Sequence, residues 1–377
     1  MLMRIAFFTD SYLPTFDGVT RAVMNFRKGL EELGNEVYIF APKQIGKKVK
    51  KEKRTFYYSG IPFKPYPSYT IPLLPLPPIA KISKIKPEII HCHGIALLSF
   101  SGLEASKLFD IPCASTFHTY FPKALHYIPL GEKLKKPTTK MIIAYIRFFL
   151  NRSNVAIAPS MFIKKKLERI GVKNVEYVPN GVDIKKFSKG NGERIRKKYR
   201  IKNNEELVLY LGRLAKEKNL DLLIKAFSLI KQKNKNIKLM ISGTGPEEER
   251  LKILAKKLNV NAIFTGFVED EEISDYYAAC DIFCIPSSFE TQGVVAIEAM
   301  ASGKGVLALN SMALKEVVRN GKNGLLFKNN AKDLSEKILI ALEKKEDYRE
   351  EALKTAKEYS IENTTKKLLN VYEKVKY

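Results

Sequence analysis

The sequence predicts an α/β protein of two doubly wound, Rossmann-like domains, each built on a parallel sheet. Its 377 residues are enough for two or three domains. Short apolar runs of strand length alternate with amphipathic helical patterns in the first half of the chain, and the alternation starts again in the second half. Strands that alternate with helices pair in parallel, because each helix carries the chain back across the sheet before the next strand begins.

The strand-like runs follow in order along both halves. They are residues 5–9, 37–40, 89–91, 114–117 and 155–158, and then residues 207–211, 237–242, 262–265, 282–285 and 306–309. Between the halves, Pro179-Asn180-Gly181 forms a turn-rich joint that precedes a basic stretch with few apolar residues. We therefore predict domains over residues 1–183 and 184–360, and an amphipathic C-terminal helix over residues 361–377.

Composition limits the classes of protein to which the chain can belong. The N-terminus lacks the apolar length and the cleavage site of a signal peptide, and no apolar stretch approaches the roughly 20 residues of a membrane span. The four cysteines lack metal-binding spacing and are expected to be buried free thiols, which indicates a cytoplasmic protein. His91 and His93 could pair on a metal, but no further ligands lie nearby, so a role at a strand end is favoured.

The net charge of +25 has two competing explanations. A lysine-rich composition of the hyperthermophile kind accounts for part of it. The excess is concentrated in the first half, notably in residues 43–54 and 133–152, which favours an acidic partner. Nucleic acid and an anionic membrane surface are the two candidates.

Ligands of doubly wound sheets bind outside the carboxyl ends of the strands, so the loops after the strands carry the candidate site residues. Gly18 opens the first helix and allows its backbone to approach a phosphate or an acceptor closely. His118 follows the strand at residues 114–117, and this position favours a functional role over the structural one that is commoner for an isolated histidine. Arg213 follows a strand and Lys218 precedes a helix, so both cations can stabilise the charge on a leaving diphosphate.

The most informative segment runs from Glu290 to Gly303. Glu290 lies in a loop after a strand, and Glu298 lies eight residues later in a helix that begins near Gly293. The two carboxylates can accept hydrogen bonds from two hydroxyl-rich parts of one ligand, while the helix N-terminus between them attracts an anion. Sugar hydroxyls, a diphosphate and ribose hydroxyls in that order describe a nucleotide sugar.

Over nearly the whole chain, these motifs resemble the retaining glycosyltransferases of family 4. The resemblance implies the GT-B fold, in which two Rossmann-like domains face each other across a cleft and the C-terminal helix crosses back to the first domain. It also implies an acceptor-binding N-terminal domain and a nucleotide-sugar-binding C-terminal domain. Asn219 stands where relatives have glycine, which is a mild departure because asparagine tolerates left-handed backbone.

The resemblance further implies the roles of the site residues. His118 would bond the transferred sugar near C6, Glu290 would bind its 3- and 4-hydroxyls, and Glu298 would bind the ribose. No metal or other cofactor would be required, because cationic side chains neutralise the diphosphate. The implied catalytic residues are His118, Arg213, Lys218 and Glu290, and the implied donor-binding residues are Gly18, Gly243, Gly245, Phe267, Val268, Thr291, Gln292, Gly293 and Glu298, with Phe267 and Val268 beside the base.

Three features resemble diacylglycerol glucosyltransferases: Asp17-Gly18, Thr291-Gln292 and residues 117–128. In residues 133–152, basic side chains also alternate with apolar ones. This pattern is typical of a helix that lies at the interface of an anionic membrane. We therefore expect transfer of a hexose, with UDP-glucose as the favoured donor, to a diacylglycerol or an archaeal diether lipid at the inner face of the cell membrane. Alternatively, the apolar face of this helix packs against its own domain.

Other functions fit parts of the sequence. A mannosyltransferase acting on a soluble or polyprenyl-linked glycan would share the same motifs. A nucleotide-sugar epimerase is less compatible with the joint presence of the glutamate pair and the Arg213–Lys218 motif. A nucleic-acid-binding protein would explain the charge, but the chain has no stacking pattern of the RNA-recognition type. The oligomeric state is not determined by these patterns.

Overall fold

The computed structural model describes residues 2–15, 17–44, 52–63, 66–72, 78–118, 132–230 and 236–376. They form two compact units. The first joins Met1–Gly181 to Ile361–Tyr377, and the second is Val182–Ser360. The predicted boundary, after Asp183, lies two residues beyond this division.

The first unit contains a parallel sheet with the strand order β3-β2-β1-β6-β7-β8-β9 and a separate antiparallel hairpin of β4 and β5. The strands are β1 (Arg4–Thr9), β2 (Glu36–Pro42), β3 (Thr55–Tyr58), β4 (Gly60–Phe63), β5 (Tyr66–Pro72), β6 (Ile89–His93), β7 (Cys113–Thr116), β8 (Val155–Ala158) and β9 (Val175–Tyr177). The helices are α1 (Gly18–Glu32), α2 (Ile79–Ile85), α3 (Leu97–Leu108), α4 (Glu132–Arg152), α5 (Met161–Arg169) and the C-terminal helix (Ile361–Lys376).

Both faces of this sheet are covered, because successive side chains of a strand point to opposite faces. On β1, Ile5 and Phe7 belong to one hydrophobic cluster, whereas Ala6 and Phe8 belong to another. The C-terminal helix supplies Leu368, Val371 and Tyr372 to the first of these clusters. Its apolar stripe therefore completes the core of the first unit.

The second unit is a parallel sheet with the strand order β12-β11-β10-β13-β14-β15. Its strands are β10 (Glu206–Leu211), β11 (Ile237–Ser242), β12 (Ala262–Gly266), β13 (Ile282–Ile285), β14 (Gly305–Leu309) and β15 (Gly324–Phe327). Its helices are α6 (Ile184–Phe187), α7 (Gly192–Lys198), α8 (Leu220–Ile230), α9 (Glu248–Lys257), α10 (Ile273–Ala279), α11 (Val294–Ala301), α12 (Leu314–Val317), α13 (Ala331–Glu343) and α14 (Arg349–Glu358), with a 3₁₀ turn over Lys216–Lys218. Numbered within the unit, the strand order is 3-2-1-4-5-6, the order of a Rossmann fold.

The predicted fold class is confirmed, and each predicted strand is present. The sequence patterns do not predict β3, the hairpin of β4 and β5, β9 or β15. These strands are three to seven residues long, and most lie at sheet edges or outside the main sheet. β3 and β9 are only partly buried, so their apolar patterns in the sequence are weak.

Two other expectations concern cysteines and membrane spans. Cys92, Cys113, Cys280 and Cys284 are all buried free thiols, as predicted. Among the helices of the described residues, none is long and apolar enough to cross a membrane.

Candidate active site

The site in the second unit lies at the carboxyl edge of its sheet. Strand β10 is flanked by β11 on one side and by β13 on the other, and all three run parallel. The loops that follow these strands therefore emerge side by side. They carry most of the residues that the sequence analysis selects.

Lys218 and Glu290 are in direct contact. The Lys218 Nζ atom lies 2.7 Å from Glu290 Oε1, and both side chains are largely shielded from solvent. The two loops are also joined through their backbones, because the Glu217 carbonyl accepts hydrogen bonds from the Ser288 amide at 3.0 Å and from the Ser288 hydroxyl at 3.2 Å. A cation and a carboxylate from two different loops are thus fixed at one point.

Arg213 is held by its backbone, and its side chain is exposed. The buried Tyr210 hydroxyl donates a hydrogen bond to the Arg213 carbonyl at 2.9 Å. Burial raises the pKa of Tyr210 well above 10, and the nearby Glu290 and Glu217 carboxylates raise it further, so this hydroxyl stays protonated and able to donate. The turn is thereby anchored, and Arg213 lies at the surface of the second unit, where an anionic ligand can reach it.

Asn219 ends the 3₁₀ turn that carries Lys218. Its backbone lies in the left-handed region, with φ of 55° and ψ of 36°. The sequence analysis treats asparagine as an acceptable replacement for glycine at this position, and the observed conformation confirms that interpretation.

Gly243 brings the β10 and β11 loops into close contact. Its φ is +123°, and a Cβ atom there would lie 2.0 Å from the Gly212 carbonyl oxygen. A Cβ at Gly245 would lie 2.2 Å from the Leu214 carbonyl oxygen. Only glycine permits both approaches, so the two glycines shape this edge of the sheet.

Helix α11 begins at the predicted position. Its N-cap is Gly293, with φ of 87° and no side chain to accept a hydrogen bond from the first turn. Thr291 is half-buried and Gln292 is buried in the loop just before it. A helix start without a side-chain cap can offer its amide groups to an anion.

Glu298 lies inside α11 and is only 1% exposed. The Tyr277 hydroxyl donates a hydrogen bond to Glu298 Oε2 at 2.9 Å. Tyr277 belongs to α10, and the sequence analysis did not select it. A separation of 21 positions along the chain carries no spacing signal that would have revealed the contact.

Phe267 and Val268 follow β12 and differ sharply in burial. Phe267 is 63% exposed, whereas Val268 packs into a hydrophobic cluster of the second unit. The Val268 side chain is thereby committed to the core, and its backbone and the Phe267 ring are the groups that a ligand could reach.

His118 lies in the first unit, two residues beyond β7. It is buried, and its Nε2 atom lies 3.1 Å from His93 Nδ1. Burial lowers the pKa of His118 to about 4, although the charge of Asp17 acts in the opposite direction. His118 is therefore neutral at ordinary pH. Residues 119–128 of the motif that resembles lipid glucosyltransferases lie outside the described residues.

Gly18 is the first residue of α1, and Asp17 is the N-cap. The Asp17 carboxylate accepts hydrogen bonds from the Thr20 amide and the Ser11 hydroxyl, both at 2.8 Å. Beside this turn is a small depression with a cavity volume of about 10 Å³. The residues that line it are Asp10, Ser11, Tyr12, Thr15, Pro42, Gln44 and Thr70.

The histidine pair of β6 has protein partners. His91 Nδ1 lies 2.5 Å from the Tyr372 hydroxyl, and His91 Nε2 lies 2.7 Å from Thr116 Oγ1. Within the described ranges, no three His, Cys, Asp or Glu side chains are grouped as a metal site.

Two family models match the chain, one after the other. Residues 16–186 match the model described as Glycosyltransferase Family 4, and residues 191–359 match the model described as Glycosyl transferases group 1. Together the two matches account for nearly the whole chain.

Several known glycosyltransferases are similar to this chain in sequence, at nearly equal identity. The chain is 29% identical to the alpha-monoglucosyldiacylglycerol synthase of Acholeplasma laidlawii, covering 87% of this chain and 85% of that protein. It is also 29% identical to the synthase of the same name from Streptococcus pneumoniae, over 98% and 85% of the two chains. A GDP-mannose-dependent alpha-mannosyltransferase of Corynebacterium glutamicum is 28% identical over 86% and 76%.

Solved structures share the fold at lower identity. Sucrose-phosphate synthase from Thermosynechococcus elongatus superimposes with a TM-score of 0.80 at 21% identity, covering 99% of this chain and 98% of that one. Anabaena HepE, solved in complex with UDP, gives a TM-score of 0.76 at 18% identity, with coverage of 99% and 100%. The fold, the loop motifs and the two family matches agree: the chain is a glycosyltransferase of family 4 with the GT-B fold.

Proposed function

We propose that this glycosyltransferase moves a hexose, with UDP-glucose as the favoured donor, to the hydroxyl of a membrane lipid such as a diacylglycerol or an archaeal diether lipid. The observation that carries the donor half of the proposal is the contact between Lys218 and Glu290. It holds a cation suited to a diphosphate beside a carboxylate suited to sugar hydroxyls. Two relatives named as lipid glucosyltransferases support the choice of acceptor.

The donor is bound by groups of the second unit. Glu290 accepts hydrogen bonds from the 3- and 4-hydroxyls of the sugar, while Lys218, Arg213 and the start of α11 hold the diphosphate. Glu298 binds the ribose. Tyr277 supports this last role, because its hydrogen bond orients the Glu298 carboxylate before any ligand is bound. Phe267 and the Val268 backbone lie beside the base.

The reaction proceeds with retention of configuration at the anomeric carbon and without a metal. Glu290 is paired with Lys218 and is assigned to sugar hydroxyls, so the proposal uses no carboxylate nucleophile of the kind found in retaining hydrolases. The acceptor hydroxyl attacks from the face that the diphosphate leaves, and the leaving phosphate takes the hydroxyl proton. Positioning and stabilisation of the developing charge supply most of the rate, with Arg213 and Lys218 as the fixed cations and His118 on the transferred sugar.

The acceptor is assigned to the first unit, where side chains with hydroxyl, carboxyl and amide groups line the small depression beside α1. Helix α4 supports action at a membrane surface. Its Ile146, Phe149 and Leu150 side chains are buried in their own unit, but Met141 is 72% exposed and Phe148 is 50% exposed. The helix thus both packs against its own core and presents apolar side chains to solvent.

The exposed apolar side chains of α4 are accompanied by basic ones. Lys136, Lys140 and Arg147 are exposed on the same helix. Apolar side chains that enter the headgroup region and cations that meet anionic lipid together form an interfacial helix. On this basis the protein acts as a peripheral enzyme on an anionic membrane.

The second candidate function is transfer from GDP-mannose to a soluble or polyprenyl-linked glycan. The 28% identity to a GDP-mannose-dependent mannosyltransferase favours it. The donor-binding groups of the second unit, which hold a sugar diphosphate, serve both functions. They differ in the base, the sugar and the acceptor, and these are settled by assay.

The test is a screen of donor turnover. Purified protein is mixed with UDP-glucose, UDP-galactose, UDP-N-acetylglucosamine or GDP-mannose, with and without anionic liposomes that contain diacylglycerol or an archaeal diether lipid. We expect nucleotide release from UDP-glucose that depends on the liposomes and is matched by a new glycolipid. Turnover of GDP-mannose that is indifferent to lipid would instead establish the second candidate.

The role of α4 is tested in the same assay with a double variant, Met141→Ser with Phe148→Ser. We expect it to lose sedimentation with anionic liposomes and lipid-dependent turnover, while slow hydrolysis of the donor in water is unchanged. The matched control is Ile253→Ser, which alters a side chain that is 68% exposed in the second unit. If the double variant and the control bind liposomes equally well, α4 does not dock on the membrane.

A further inference from the structure

Two histidines from neighbouring strands form a buried hydrogen bond in the first unit. His93 ends β6, and in the parallel register with β7 it pairs with Thr116, two residues before His118. The His93 Nδ1 and His118 Nε2 atoms are 3.1 Å apart. The two rings are nearly parallel, with centroids 5.4 Å apart and an interplanar angle of 19°.

One proton lies in this bond, and it can belong to either ring. Burial lowers the pKa of His93 well below 6.5 and that of His118 to about 4, so both rings are neutral and each carries a single N–H. In the first arrangement His93 donates from Nδ1, and His118 carries its own proton on Nδ1. In the second arrangement His118 donates from Nε2, and its Nδ1 is a bare acceptor.

The other nitrogen of His93 distinguishes the two arrangements. His93 Nε2 is buried and, among the residues that the structure describes, has no hydrogen-bond partner. In the second arrangement this atom would be a buried N–H group without an acceptor, whereas in the first it is only a lone pair without a donor. Orphaned buried N–H groups are rarer in proteins than under-satisfied acceptors. The first arrangement is therefore favoured.

The position of the His93 ring is itself restrained. Its centroid lies 4.6 Å from the Phe7 ring and 4.0 Å from the His91 ring. His91 is fixed in turn by its contacts with Tyr372 of the C-terminal helix and with Thr116. A half-turn of the His93 ring would place Cδ2 where Nδ1 now lies and would break the bond to His118, so this bond selects the observed orientation.

We propose that His93 is a positioning residue that fixes the tautomer of His118, so that His118 presents an Nδ1–H donor to an oxygen of the transferred sugar. The catalytic consequence rests on the function proposed above, whereas the tautomer itself does not. With the wrong tautomer, His118 would offer a lone pair to the sugar in place of a proton.

Nitrogen-15 NMR of the full-length protein, labelled at histidine, tests the tautomer directly. The chain has only four histidines, and single replacements assign their signals. We expect His118 to be protonated at Nδ1 and unprotonated at Nε2, and His93 to have the same tautomer. A His118 ring protonated at Nε2 would overturn the inference.

The effect on the reaction is tested with two replacements of His93. In His93→Phe, which keeps the ring shape but removes both nitrogens, we expect His118 to become a mixture of tautomers. The turnover number should then fall about tenfold, the effect of one misplaced neutral hydrogen bond, with little change in the KM of the donor. His93→Asn, whose amide can donate from near the Nδ1 position, should restore the single tautomer and most of the activity.

The matched control is His91→Phe. His91 is equally buried and its ring lies against that of His93, but it makes no hydrogen bond to His118 in the structure. We expect it to lower stability without altering the His118 tautomer. A normal tautomer and normal turnover in His93→Phe would refute the positioning role. Absence of sugar transfer by the unaltered protein would instead refute the proposed function and leave the NMR result intact.

Discussion

The first unit should lose stability in mild acid much faster than the second. His91, His93 and His118 are buried in the first unit, and burial lowers the pKa of all three below the 6.5 of an exposed histidine. All four histidines of the chain lie before residue 182, so the second unit has none. Between about pH 6.5 and pH 4 the unfolded first unit binds more protons than the folded one. Its free energy of unfolding therefore falls as the pH falls through this window.

The size of the effect follows from the shift of His118. With a pKa of about 4 in the folded unit and about 6.5 unfolded, lowering the pH from 8 to 5 costs about 2 kcal/mol. His91 and His93 each add up to about 2 kcal/mol if they stay neutral at pH 5. Asp10 opposes the trend, because burial raises the pKa of its carboxyl. As the pH falls, the folded unit therefore binds a proton at Asp10 before the unfolded unit does, which favours the folded unit. The sum is comparable with the whole stability of a small domain.

The assay uses the absence of tryptophan from the chain. Phe148→Trp places one fluorescent probe at a half-exposed site of the first unit, and Phe267→Trp places one at an exposed site of the second. Urea unfolding of each variant at pH 8, 6.5 and 5 then follows one unit at a time. We expect the midpoint of the first unit to fall steeply and that of the second to change little. Equal shifts in the two units would show that the buried histidines are not responsible.

Three further predictions concern single side chains. Arg213→Ala should lower turnover on the order of 10²-fold in the donor assay, whereas alanine at the exposed neighbour Lys216 should have little effect; near-normal activity of the Arg213 variant would remove it from the site. In urea unfolding, Gly243→Ala should destabilise the second unit by about 1–3 kcal/mol more than Gly266→Ala. Both glycines have positive φ, but only Gly243 lacks room for a Cβ atom. Equal losses of stability in the two variants would contradict the close approach at Gly243. Asp17→Ala should cost the first unit about 1 kcal/mol in the same experiment, since it removes the N-cap of α1, and an unchanged midpoint would show that the cap is dispensable.

Much of the fold was predictable because burial in a doubly wound sheet leaves a strong local pattern. Strand β13 and all of β10 after Glu206 are apolar, since both faces of the sheet are covered, and the helices between them carry an apolar stripe. The alternation of strands and helices along the chain also predicted that Glu290 lies in a loop and Glu298 in a helix, and the structure agrees. Short edge strands such as β3 were missed, because half-buried residues lack that pattern.

The sequence by itself determined the class of fold, the family and the loops that carry the candidate site, because these depend on residue types at short spacing. Only the tertiary structure decided which side chains meet. Lys218 reaches Glu290 across 72 residues, and His93 reaches His118 across 25. Both contacts depend on which parallel strands lie side by side in a sheet, and that order is a property of the tertiary structure.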